Sequence, residues 1–170
     1  MCIRDRRSET VGSHAIEDYL KTIYLVQQDE GRVTTSALAR RLGVAAASVT
    51  NMVKRLAEMN LVRHAPYHGV KLLPAGEKIA LEVVRHHRLL ELYLAEALGM
   101  PWDQVHAEAD RLEHVISEDL EERMAAALGQ PTMDPHGHPI PSRDLTVLER
   151  SQAALAAAQP GEAATIEWVS

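Results

Sequence analysis

The chain has 170 residues, of which 46% are hydrophobic and 25% charged, enough for one substantial core or two small interdependent domains and too apolar for a disordered polymer. No apolar run approaches the roughly 18 residues that cross a bilayer, and the opening MCIRDRRSET has charge with no hydrophobic segment behind it, so a cytoplasmic protein without signal peptide or membrane partner is expected. The net charge of -6 hides a segregation: Arg32 to Lys78 holds eight basic residues against two acidic ones, net +6, whereas Ile79 to Gln130 holds four against eleven, net -7. Phosphate attraction suits the first stretch, and cation binding or a solvated acidic surface suits the second.

In chain order, residues 1–13 show no apolar pattern and are expected to be unstructured. Ile16, Tyr19, Leu20, Ile23 and Tyr24 repeat at helical spacing, which predicts an amphipathic helix from His14 to about Gln28, ended by Asp29, Glu30 and Gly31. Thr35 or Ser36 can cap a short helix carrying Leu38, Ala39 and Leu42 that stops at Gly43. A further helix follows, with Val49, Met52, Val53, Leu56 and Met59 on its apolar face. Two helices joined by a short glycine-containing turn form a helix-turn-helix. Leu61 to His64 and Val70 to Leu73 flank a turn of hairpin length, which predicts a wing. Pro74 and Ala75 open a long helix to about Leu98, and Gly99, Met100 and Pro101 break it. Asp103 to about Leu128 is read as one helix, and DPHGHPIP from Asp134 to Pro141 as a linker. An alanine-rich stretch then leads to TIEWV, which alternates like a strand.

A helix entering the major groove needs small or polar residues near its N-terminus and cations around it. Ala45, Ala46, Ala47, Ser48, Thr50 and Asn51 meet the first need; Lys54 and Arg55, with Arg40, Arg41, Arg63 and Lys71, meet the second. The plainer reading is a helix-favouring alanine run beside a solvated basic face, and the wing favours DNA over it. With no Arg or Gln at the helix start, hydrogen-bonded base readout is expected to be sparse and DNA shape to carry much of the specificity.

His87 and Glu91 are four apart, and His106, Asp110, Glu113 and His114 lie at offsets 0, 4, 7 and 8, so each set shares one helix face. Converging imidazoles and carboxylates suit a divalent first-row ion. Cys2 is the only cysteine, so no multi-thiolate site is available within one chain. Acidic helices also carry solvated His and Glu, which is the competing reading. His136 and His138 sit among Pro and Gly, where a linker role is favoured over coordination. Leu94, Leu112, Ile116 and Leu120 exceed what a short helical region buries alone, which predicts self-association.

AIEDYLKTIY from Ala15, HRLLE from His87, VHAEADRLEHV from Val105 and PHGHPIP from Pro135 resemble the corresponding motifs of the diphtheria toxin repressor family of metal-dependent regulators. With the helix-turn-helix between them, the resemblance spans about His14 to Pro141. It implies a homodimer that binds double-stranded operator DNA when loaded with Mn(II) or Fe(II). Carried over residue by residue, it implies a primary site of Asp18, Asp110, Glu113 and His114 and an ancillary site of His87, Glu91 and His106. Iron-responsive members have a methionine at the position of Asp18 and a cysteine at that of Asp110; the manganese regulators match Asp18 but carry a glutamate where this chain has Lys21. Hard oxygens at both positions favour Mn(II), with Fe(II) the alternative.

The expected fold is therefore mostly α (α+β): a winged helix-turn-helix at 14–74, a helical metal-binding and dimerisation domain at 75–141, and a linker with the start of an SH3-like domain at 142–170. The expected function is metal-dependent transcriptional repression, the ion tying the DNA-binding and dimerisation regions together. Two readings stay open beside it, a winged-helix regulator sensing an organic ligand and a small metalloenzyme. The absence of a recognisable nucleophile or substrate motif beside the ligands disfavours the enzyme.

Overall fold

The computed structural model describes residues 4–65, 69–134 and 136–147. The chain divides into two compact units, Met1–Val84 and Arg85–Ser170. The division falls inside the long helix α4 (Pro74–Glu96).

The first unit contains α1 (Arg4–Glu30), α2 (Thr35–Leu42), α3 (Ala46–Glu58), β1 (Val62–Ala65), β2 (Gly69–Leu72) and the start of α4. Its core is mainly aliphatic: Leu20, Ile23 and Val26 of α1, Leu38 of α2, Val49, Val53 and Leu56 of α3, and Val62 and Val70 of the strands are buried, with Tyr19 and Tyr24 beside them. Gly43, at a φ of 66°, ends α2 in the left-handed region and lets the chain turn at once into α3. The strands pair antiparallel, with Val62 opposite Leu72 and Ala65 opposite Gly69. Val33 bridges to Val70, which attaches the wing to the segment between α1 and α2. A Cβ on Gly76 would stand 2.1 Å from the carbonyl oxygen of Leu61, so only glycine lets α4 start this close to the wing.

Three local expectations are corrected. α1 starts at Arg4, not His14; residues 4–13 extend a helix nucleated by its packed C-terminal part, which requires no apolar face of their own. The cap of α2 is Thr34, whose side chain accepts from the Ala37 N–H, in place of Thr35 or Ser36. Met59 is 47% exposed, because as the residue that ends α3 it lies past the last turn of the buried face. The hairpin turn at 66–68 and the strand-like TIEWV lie outside the described residues.

The second unit packs the remainder of α4 with α5 (Trp102–Leu112) and α6 (Glu118–Ala127). Leu90, Ala109 and Met124 form one buried cluster, with Tyr93, Leu112 and Ile116 against it. Leu89, Leu92, Ala125 and Ile140 form another. The single helix expected from Asp103 to Leu128 is two helices. Ser117 caps the second by accepting from the Leu120 N–H, and Glu118, Asp119 and Glu121 fill its first turn, an N-terminus signature that outweighs continued helix periodicity.

The segment from Asp134 to Pro141 is likewise no plain linker. Asp134 is buried, its Oδ1 accepting from the N–H groups of His136 at 2.9 Å and His138 at 2.7 Å. Ile140 reaches the core and donates its N–H to the Thr132 carbonyl at 2.8 Å. Arg88 pairs with Asp134 at 3.7 Å and donates to the Pro139 carbonyl, while Arg85 donates to the Pro141 carbonyl at 2.6 Å. These buried contacts make the segment a strap on α4. Among the described residues no helix is long and apolar enough to cross a membrane.

Candidate metal centre and nucleic-acid face

In α4, one turn places His87 and Glu91 side by side, with His87 Nε2 3.1 Å from Glu91 Oε1. α5 brings His106 and Asp110 to the same place. His106 Nδ1 lies 2.9 Å from Glu91 Oε1 and 3.2 Å from His87 Nε2. The other ring nitrogen of His87 faces Glu113 Oε2 at 2.6 Å and Asp110 Oδ1 at 3.3 Å. One donor atom each from His87, His106 and Asp110 falls within 4.8 Å of the others. Glu113 Oε1 lies 3.4 Å from His114 Nε2. Six of the seven expected ligands thus come together in the second unit. Asp18 belongs to α1 in the first.

His87, Glu91 and Glu113 are buried, whereas the His106 side chain is 69% exposed and that of Asp110 48%. The cluster therefore has a dry floor and an open rim, through which an ion can enter. Burial alone would raise the Glu91 carboxyl, but hydrogen bonds and charge from His87 and His106 outweigh it and hold the group at about 2. A carboxylate kept ionised against burial is a ready metal donor. The donor set is carboxylate oxygen and imidazole nitrogen without thiolate, which fits Mn(II) or Fe(II).

Around these residues lies a second layer that sequence reasoning missed. His86 Nδ1 is 2.9 Å from the main-chain carbonyl of Glu113, and its Nε2 is 2.9 Å from Glu121 Oε2. Arg85 Nε donates to Glu121 Oε1. Burial would raise the Glu121 carboxyl, yet the hydrogen bonds of His86 and Arg85 hold it below its ordinary value. The available signal was the run RHHR at 85–88: four consecutive polar residues point around a helix, so in a helix this apolar some must be buried with partners.

In the first unit, Ala45, Ala46, Ala47, Ser48, Thr50, Asn51, Lys54, Arg55, Arg63 and Lys71 are all exposed. Ala45 caps α3 without a side-chain hydrogen bond, so no side chain screens the first-turn N–H groups from a phosphate. Thr50 Oγ1 donates to the Ala46 carbonyl at 2.9 Å. Arg40 and Arg41 are also exposed but pair with Glu30 and Asp29, each at 3.0 Å; these surface pairs are weak enough to exchange for phosphate.

An exposed helix-turn-helix with a wing, followed by a helical unit carrying a His and carboxylate cluster, is a two-part architecture of the winged-helix class. Residues 13–70 match the family model for the iron dependent repressor N-terminal DNA binding domain. Residues 73–142 match that for the iron dependent repressor metal binding and dimerisation domain. The chain belongs to the iron-dependent repressor family, which includes the diphtheria toxin repressor. It is 40% identical over 125 residues to the iron-dependent repressor IdeR of Mycobacterium tuberculosis, covering 74% of this chain and 54% of that protein. It is 34% identical over 149 residues to the diphtheria toxin repressor of Corynebacterium diphtheriae, covering 88% and 66%. A solved structure described as a manganese-dependent transcriptional repressor in complex with manganese shares 44% identity at a TM-score of 0.74, over 80% of this chain and 63% of that one. The chain thus spans about half the length of the mycobacterial relative, 54%.

Proposed function

We propose that this chain is a homodimeric, metal-dependent transcriptional repressor of metal homeostasis that binds double-stranded operator DNA, with Mn(II) the preferred co-repressor and Fe(II) the alternative. The observation that carries the reading is the clustering of His87, His106 and Asp110, with donor atoms within 4.8 Å of one another and Asp110 bordering both ligand sets, in a chain whose other unit exposes a basic helix-turn-helix. His87, Glu91 and His106 would hold an ancillary ion, and Asp110, Glu113 and His114 a primary one. Asp18 joins the primary set by its correspondence to the family motif. His87 faces both sets, through Glu91 on one ring nitrogen and Glu113 on the other, so their occupancies should be coupled. An ion held by these residues would supply fixed positive charge among their carboxylates and imidazoles. Self-association is supported by the exposed apolar side chains of Leu98, Trp102, Val115 and Leu120, which are 63%, 51%, 62% and 45% exposed. Leu94, also expected there, is instead buried within the chain.

The test is operator affinity of the purified protein with Mn(II), with Fe(II) under anaerobic conditions, with Zn(II), and with chelator. Mn(II) should tighten binding and chelator should reverse it; affinity indifferent to all four would favour an organic ligand as the signal. Asp18→Ala should keep the fold and lose most of the Mn(II) effect, and an unchanged Mn(II) dependence removes that residue from the site.

A further inference from the structure

The four-residue run on α4 divides its work: His87 faces the metal donors, Arg85 and Arg88 hold the strap, and His86 reaches the turn between α5 and α6. We propose that His86 is a positioning residue of the metal centre, holding the main chain of Glu113 by a hydrogen bond so that Glu113 and His114 keep their places beside His87 and Asp110.

His86 is 8% exposed, and both ring nitrogens face acceptors: the Glu113 carbonyl at 2.9 Å and the Glu121 carboxylate at 2.9 Å. A carbonyl oxygen only accepts, so Nδ1 carries the proton and donates to it, and this bond sets the orientation of the ring. Glu121 is itself fixed by Arg85, which also donates to the Pro141 carbonyl at 2.6 Å. The chain of contacts therefore runs from the strap through Arg85, Glu121 and His86 to the first residue of the turn. Glu113 needs this support because it is where α5 ends. Its N–H still bonds to the Ala109 carbonyl at 2.9 Å, and its own carbonyl lies in the last turn, where helix carbonyls turn to partners outside the helix. His86 bonds to that carbonyl, and with it sets the direction in which the Glu113 and His114 side chains leave the backbone. Groups that orient metal ligands typically change affinity by about 10–100-fold when removed.

This inference rests on the metal-sensing reading, so the experiment separates the two. Mn(II) binding is titrated by the loss of the free Mn(II) electron paramagnetic signal in the parent, His86→Phe, His86→Asn and His86→Gln, and amide exchange of residues 113–117 is followed without metal. Asparagine can place a donor where Nδ1 stood and glutamine where Nε2 stood, whereas phenylalanine keeps only the ring shape. His86→Phe should weaken Mn(II) binding about tenfold or more and speed exchange in the turn. His86→Asn should recover most of both, and His86→Gln less. A folded His86→Phe protein with parental Mn(II) affinity and exchange overturns the proposal. Should that variant fail to fold, equal Mn(II) affinity in His86→Asn and His86→Gln overturns it equally. A parent that binds no Mn(II) instead overturns the metal-sensing reading, and this inference with it.

Discussion

Gly76→Ala places a methyl where the start of α4 meets the wing. The added Cβ would lie 2.1 Å from the Leu61 carbonyl oxygen, 2.9 Å from its carbon and 3.3 Å from its Cα, all main-chain atoms. Leu61 O also accepts from the Leu73 N–H at 2.9 Å, so moving it aside lengthens a hydrogen bond worth about 1 kcal/mol. Overpacking of this kind costs about 1–3 kcal/mol, and a clash with backbone belongs at the upper end. Against it stands the better helix propensity of alanine, worth about 1 kcal/mol. The clash wins, for a net loss of about 2 kcal/mol. Gly12→Ala is the matched control: it lies within a helix too, α1, but meets nothing within 4 Å, so propensity acts alone and stabilises by roughly 0.5–1 kcal/mol. Urea unfolding followed by circular dichroism should move the Gly76→Ala midpoint down by about 1 M, taking a slope of roughly 2 kcal/mol/M, and the Gly12→Ala midpoint slightly up. A Gly76→Ala midpoint at or above the parent's would refute the close packing of wing and helix.

Acid should destabilise the metal-free protein. Glu91, held at about 2, and Glu121, held below its ordinary value, lend stability that is fully present above the unfolded carboxylate value near 4.5 and is lost as the pH falls through their folded values. For Glu91 the contribution is on the order of 3 kcal/mol, so urea midpoints should drop between pH 5 and 2, and Glu91→Gln should flatten that drop; an equally steep variant would be inconsistent with the shift. Lys54→Ala and Arg55→Ala should each weaken binding to every DNA sequence and lower the salt slope by about one, and a filter-binding salt series with an unchanged slope removes them from the interface. Val115→Glu combined with Leu120→Glu should turn a dimer into a monomer in sedimentation velocity, whereas a dimer that persists puts the contact elsewhere.

The first unit was largely legible because its signals are local. Apolar spacing in α1 and α3, Gly43 at a helix end and a short hairpin each act within a few residues, and the structure realises them together. Five of the six expected ligands that meet in the second unit were legible for the same reason, since offsets of three, four and seven read directly as one helix face; the sixth, His114, lies past the end of α5. What failed depended on contacts between distant segments. Nothing near Asp134 announces that Arg88, on another element, will neutralise it, and Pro and Gly content alone reads as a linker. The division between α5 and α6 was visible in Ser117 and the acidic turn after it, but the continuing apolar periodicity obscured it. Gly76 could have been suspected, since glycine in a helix interior usually marks a close approach, although its neighbour Leu61 could not.

The two arginines that hold the strap grip main-chain carbonyls, those of Pro139 and Pro141. A carbonyl is presented by every residue type, so this attachment is blind to side-chain identity and sensitive to spacing. Successive carbonyls in an extended segment point to opposite sides, and oxygens two residues apart return to the same side. Arg85 and Arg88, nearly one helical turn apart, therefore act as a gauge of segment length. Apart from Asp134 and Ile140, whose side chains are buried, substitutions between Asp134 and Pro141 should accumulate at little cost so long as the backbone conformation survives. Inserting or deleting one residue between Pro139 and Pro141 would turn one oxygen away and leave a buried guanidinium short of one acceptor.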